Sequence, residues 1–149
     1  MTITLKLKYP SQSLNKNNQK GAHWSILDSA RSAQKYEAIA CIREQYAEFF
    51  YTNESLLWII WAIYTPDWRR RDEDNLDLKG AQDGICHAIG VDDNQIIITT
   101  RCKCGKDPAG IGYIEVSLGE DIDEMRNILR GQRYTPRQHR GRAKTTGED

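Results

Sequence analysis

The chain has 149 residues, which suits one domain with a single core. Its 21 Lys and Arg balance 21 Asp and Glu, so bulk positive charge is excluded as a means of holding nucleic acid, and only segregated charge remains. With 39% hydrophobic residues it is too apolar for disorder throughout, and its longest apolar run, Leu56 to Tyr64, is far too short to span a bilayer.

Thr2 to Tyr9 alternates. Ile3, Leu5, Leu7 and Tyr9 share one face, which predicts a half-buried strand ended by Pro10. The polar stretch SQSLNKNNQKGAHW follows as a long loop. Lys16 and Lys20, with His23 and Trp24, make it a candidate DNA contact or an ordinary solvated loop. Ile26 to Phe50 has helical spacing through Ile26, Ala30, Ala33, Tyr36, Ile39, Ile42, Tyr46 and Phe49, with Ser25 as N-cap and Asp28 three residues on. Leu56 to Tyr64 is apolar without a break and reads as a strand buried on both faces, with Trp58 and Trp61 in the core.

Asn75 to Ile89 reads as a second helix with Leu76, Ala81, Ile85, Ala88 and Ile89 inward and Gly90 as its stop. Gln95 to Cys104 and Ile111 to Leu118 read as two strands of a hairpin around GKDPAG. Asp121 to Leu129 is a short helix with Ile122, Met125 and Ile128 inward. From Arg126 to Lys144 there are seven Lys and Arg and no acid, so a flexible basic tail is expected over 132–149, after one domain over 1–131. The order β-α-β-α-β-β-α predicts an α+β fold with one mixed sheet. No apolar stretch follows a basic start, so no signal peptide is expected. A cytoplasmic protein with reduced Cys41, Cys86, Cys102 and Cys104 follows. Zinc binding by Cys102, Cys104, Cys86 and His87 fits no common spacing.

The densest chemistry lies in RRRDEDNLDLK, residues 69–79. On an extended chain Asp72 and Asp74 point to one side and can share a divalent cation. Asp92 and Asp93 form a second acidic pair. Oxygen donors without a nearby His or Cys pair favour magnesium or manganese, which suit phosphoryl chemistry. Arg69, Arg70 and Arg71 offer phosphate contacts beside them. The plainer reading also fits: Asp74 caps the helix, Asp77 occupies its first turn, Asp92 and Asp93 are turn residues, and the arginines neutralise the acids. Trp68 could stack on a base, or pack under the sheet edge.

RRRDEDNLDLKGAQDGI with GVDDNQI resembles the signature of the RusA family, small Holliday-junction resolvases of bacteria and their phages: a basic run, Asp-x-Asp-Asn, a lysine, a helical Asp, then Asp-Asp-x-Gln before an apolar strand. The resemblance covers Tyr64 to Ile98 and more loosely most of the domain, but not the tail. It implies a RusA-like fold and a homodimer. It also implies Mg2+ or Mn2+ dependence with no small-molecule cofactor, and branched DNA, a four-way junction above all, as substrate. The family's catalytic aspartates fall on Asp72, Asp74 and Asp93, which would hold the metal, and its lysine on Lys79. One extra residue, Asp77 or Leu78, precedes that lysine; within a helix it would rotate the side chain by about 100°. The expected function is hydrolysis of branched DNA, with Arg69, Arg70, Arg71, Lys16 and Lys20 on the backbone. The alternative is a non-catalytic DNA-binding protein on the same fold.

One geometric problem remains in the sequence. A helix from Asn75 to Ile89 would be about 22 Å long, and the four residues to Asp93 reach back at most about 14 Å. Either the helix breaks at Gly80 or Gly84, or Asp93 serves a two-fold partner, with those glycines letting antiparallel helices of the two subunits cross closely.

Overall fold

The computed structural model describes residues 2–19, 21, 23–47, 51, 56–69 and 75–131. Alternation makes β1 (Ile3–Lys8), whose burial alternates residue by residue. Then come α1 (Trp24–Gln45), β2 (Leu57–Thr65), α2 (Lys79–Ile89), β3 (Ile96–Lys106) and β4 (Tyr113–Gly119), and a last helix, α3, over 122–131. The strands form one mixed sheet in the order β1-β4-β2-β3. The architecture is α+β, as expected. β2 and β3 are parallel, and β4 runs antiparallel to both β1 and β2. Among the described residues, no helix is long and apolar enough to cross a membrane.

β2 is the middle of the molecule because it is apolar on both faces. Ile59, Trp61 and Ile63 join Leu5, Ile42, Ala81 and Ile85 in the main core under α1 and α2. Trp58 and Ile60 face the other way, onto Met125, Ile122 and Ile128 of α3. None of the four cysteines forms a disulfide. Cys86 belongs to the main core and Cys102 packs on the opposite one, so the sheet stands between them.

The expected hairpin is not present. β2 lies between β3 and β4, so GKDPAG crosses the end of β2 instead of turning back on a neighbour. The crossing spans two strand spacings, roughly 10 Å. Its geometry is specific. The Asp107 N–H donates to the Thr65 carbonyl at 2.7 Å, and the Asp107 carboxylate accepts from the N–H groups of Ala109 and Gly112 at 3.0 and 2.9 Å. Gly112 has φ +83°, and a Cβ there would meet Pro66 at 3.0 Å. The turn residues were legible; the strand they reach was not.

α1 also differs from expectation. It starts two residues earlier than Ile26, and His23, not Ser25, caps it: its Nδ1 accepts from the Ser25 N–H at 3.2 Å. The buried side chains are Gln34, Ala38 and Ile42, while Ile26 and Tyr36, expected inward, are 56% and 68% exposed. The cause lies in α2. Gly80 and Gly84 let α1 approach so closely that an added Cβ would stand 2.2 Å from the Arg31 carbonyl oxygen or 2.4 Å from that of Lys35. The contact near the start of α1 is therefore made by its backbone, and Ile26 and Tyr36 turn away while Ile42 stays in the core. The two glycines are filled by this chain's own helix, so they are not open to a partner's helix.

α2 begins at Lys79, four residues later than the periodicity predicts. Its first turn is capped from outside. The Asp77 carboxylate accepts from the Lys79 N–H at 3.1 Å, and the buried Gln34 amide oxygen accepts from the Ala81 N–H at 3.0 Å. These satisfy donors that a helix start otherwise leaves unpaired. The C-terminal stop at Gly90 is as expected, with φ +77°.

Candidate functional site

Of the expected site residues, Asp72, Asp74, Arg70, Arg71 and Lys20 lie outside the described residues, as does the tail over 132–149. Lys16, Lys79 and Asp93 are described, and all three line one cavity of about 370 Å³. Asp83, the helical aspartate one turn beyond Lys79, lines it as well. Arg69 lies apart, in a neighbouring groove. It is exposed, and its guanidinium bonds the Asp67 carboxylate at 3.2 Å. Trp68, expected to pack under the sheet, is 65% exposed.

The chain that leads into α2 is clamped from three sides. From the polar loop, Asn15 forms a β-bridge with Leu76, and the Leu14 carbonyl accepts from the Asp77 N–H at 2.6 Å. From β3, the Arg101 guanidinium donates to the Leu76 carbonyl at 2.7 Å. From α1, Arg31 donates to the Asp77 carboxylate through Nε and Nη2 at 2.8 and 2.6 Å, and Gln19 adds a third bond at 3.0 Å. Leu76, Asp77 and Leu78 are all buried. The long polar loop is thus a brace, folded into two 3-10 turns over Gln12–Leu14 and Lys16–Asn18.

This clamp corrects two expectations. Asp77 lies before the helix, so an extra residue there lengthens the approach to α2 and does not rotate Lys79 about it. Nor is the path to Asp93 blocked. α2 has 11 residues, about 16 Å, and runs unbroken through Gly80 and Gly84, and both the segment before it and the turn after it contribute to the lining of the cavity. Leu76, Asp77, Lys79 and Asp93 of one chain line the same cavity. These four meet within one chain without a broken helix or a partner subunit, while Asp72 and Asp74 lie outside the described residues.

The acidic pair divides its labour. Asp92 precedes a 3-10 turn, Asp93–Gln95, and its N–H donates to the Gln95 amide oxygen at 2.9 Å. Asp92 is the turn residue of the plainer reading. Asp93 lines the cavity, and its carboxylate also accepts from the thiol of Cys86, which belongs to the main core. Burial first, then this hydrogen bond to Asp93, pushes that thiol up to about 12, so it stays protonated as a donor.

Burial pulls the Asp77 pKa upward, but the hydrogen bonds from Arg31, Gln19 and the Lys79 N–H outweigh it and hold the carboxyl below its ordinary 3.8. Asp77→Asn should cost about 2 kcal/mol, the scale of a hydrogen-bonded charge. A depressed folded pKa means that the contribution is complete above the unfolded value and is lost as pH falls through the folded one. Urea unfolding should show the difference between wild type and variant constant at neutral pH and shrinking below about pH 4. A difference that persisted in acid would show that the charge is not its source.

No protein-family model and no curated protein matches this chain. The donor set must then speak for itself. Asp83 and Asp93 offer hard oxygen ligands in a cavity whose lining includes no Cys or His, a character that suits a magnesium-like cation. Among the described residues there is no group of three or more candidate metal ligands, so these two do not make a site alone. Arg101, Arg31 and Gln19 escaped the sequence reading. Arg101 left a faint signal: in β3 it alternates with Thr99, and both line the cavity.

Proposed function

We propose that the protein is a metal-dependent endodeoxyribonuclease that cuts branched DNA in the manner of the RusA-family Holliday-junction resolvases it resembles. The observation that carries the reading is the single-chain cavity in which Asp83 and Asp93 face Lys16, Lys79 and Arg101. Its wall at Leu76 follows Asp74 by two residues. Acids that hold a cation, interleaved with bases that hold phosphate oxygens, are what phosphodiester hydrolysis asks of a site.

Asp72, Asp74 and Asp93 would hold Mg2+ or Mn2+, with Asp83 beside them. When bound, such an ion polarises the phosphate and lowers the pKa of an attacking water. Lys79 and Lys16 offset charge on the phosphate oxygens as the water's P–O bond forms and the bridging P–O bond breaks. The clamp on Leu76 and Asp77 fixes where the acidic segment ends. Arg69 to Arg71 hold the flanking backbone. A homodimer follows from the same resemblance, and a cytoplasmic setting suits four reduced cysteines.

The test is cleavage of a synthetic four-way junction in magnesium or manganese, with Asp74→Asn as control. The wild type is expected to nick near the branch point. The variant should lose cleavage yet bind the junction equally or more tightly, since removing a carboxylate relieves repulsion of phosphate. Wild-type rates in the variant would sink the role of Asp74. Binding without cleavage by the wild type in either metal would establish the non-catalytic alternative instead.

A further inference from the structure

Next to the acidic cavity lies a second groove, of about 470 Å³, within the range of small-molecule sites. It opens at the carboxyl ends of β1 and β2. Tyr9 and Pro10, just after β1, form one wall, and Pro66, Asp67 and Arg69, just after β2, contribute the other. Gln12, Asn15 and Asn18 of the polar loop also line it. Leu76 is common to this groove and to the cavity that holds Asp93, so the two hollows are separated by a single clamped residue.

The lining does not suit a free polyanion. Its cation, Arg69, already bonds Asp67, and the amides are neutral. It does suit a nucleobase. Amide side chains carry a donor and an acceptor side by side, matching the paired donors and acceptors on a base edge. A tyrosine and two prolines offer flat apolar walls for the ring. The Asn18 amide bonds the Gln12 carbonyl at 3.0 Å, and the Asn15 carbonyl oxygen accepts from the Asn17 N–H at 2.9 Å, so these groups are held in place before any ligand arrives. In a paired duplex those base edges are occupied. A branch point is where a base can leave its partner.

We propose that this groove binds one unpaired nucleoside of branched DNA, next to the phosphate that enters the acidic cavity. The inference rests on the nuclease reading for its choice of ligand, but its test does not depend on cleavage. The Leu76 ridge, common to both hollows, separates the base from the scissile bond.

The experiment compares a complete four-way junction with a set in which the bases nearest the branch point are removed one at a time. Affinity is measured by gel shift without divalent metal. Losing the bound base should weaken wild-type binding roughly tenfold at one position, the scale of a single stacked base. The double variant Gln12→Ala/Asn18→Ala alters two exposed side chains outside the core. It should bind the complete and the abasic junctions alike at that position. An equal penalty in both proteins, or none at any position in the wild type, would overturn the groove assignment. An intact penalty with no cleavage in magnesium or manganese would leave the groove standing and remove the nuclease instead.

Discussion

Asp93→Asn is expected to lower junction cleavage roughly a thousandfold, the upper end for removing one group that stabilises a transition state. The change keeps shape and removes charge, so folding should be preserved. Junction binding should be unchanged or tighter. Asp92→Asn is the matched control. Asp92 serves the turn through its N–H and as a side-chain acceptor for the Gln95 N–H, and asparagine keeps both groups, so its effect should stay within about threefold, below ~1 kcal/mol. A mixing experiment follows from the single-chain cavity. Asp74→Asn and Asp93→Asn subunits, combined with exchange verified, should remain inactive, because each chain then carries a lesion in its own site. Recovered nicking would mean that the sites are shared across a dimer, against the geometry that brings Asp93 to Leu76, Asp77 and Lys79 of its own chain.

The second large effect concerns stability. Gly80→Ala places a methyl 2.2 Å from the Arg31 carbonyl oxygen, 3.0 Å from its carbon and 3.1 Å from its Cα. All three are backbone atoms of a helix, so no side-chain rotation relieves the clash. α1 must move, and with it the Gln34 bond to the Ala81 N–H and the Arg31 bonds to Asp77. Overpacking costs about 1–3 kcal/mol where a core can adjust. Against a rigid backbone we expect about 3 kcal/mol net, even after alanine's helical advantage of about 1 kcal/mol. Thermal unfolding should fall by roughly 10 °C. Gly131→Ala is the contrast: a Cβ there meets nothing within 4 Å, and stability should hold or rise slightly. Equal stability of Gly80→Ala and wild type would refute the close packing of α1 on α2.

Where the sequence was legible, a single physical rule decided the outcome. β1 alternates because one face is buried, β2 does not because both are, and Gly90 ends α2 because a left-handed residue is cheapest as glycine. Where it was not, two rules competed. Leu76 fits the apolar stripe of α2, yet its carbonyl is taken by Arg101 and its backbone by Asn15, so the helix starts later. Ile26 and Tyr36 fit the stripe of α1, yet two glycines 50 residues away decide which side of α1 faces inward. GKDPAG has every mark of a turn, but nothing local states that β2 will stand between the strands it joins. The site divided in the same way. Asp93, Lys79 and Lys16 could be named from residue type and resemblance, while Arg31, Gln19 and Arg101 act through long-range contacts that leave no local pattern.

The place of β4 has a consequence for how the chain reaches this fold. Among the described residues β4 is the last strand made, yet it sits between the first two, bonded to β1 on one side and β2 on the other. As the chain emerges from the ribosome, β1 has no strand partner until residue 113 onward appears, and β2 has only β3. The α1–α2 contact, with its glycine seam, can form earlier and hold the sheet half-open. Closure then waits on a pairing of residues more than 100 apart in sequence, Ile3 with Leu118 at its extreme. Long-range pairings of this kind carry a loop-closure cost before they return any contact energy, which makes the last step the slow one. The brace from the polar loop hangs from the end of β1, so the clamp on Leu76 and Asp77 is complete only once that late strand has locked β1 into the sheet. Assembly of the acidic cavity is thereby deferred until β4 has been made.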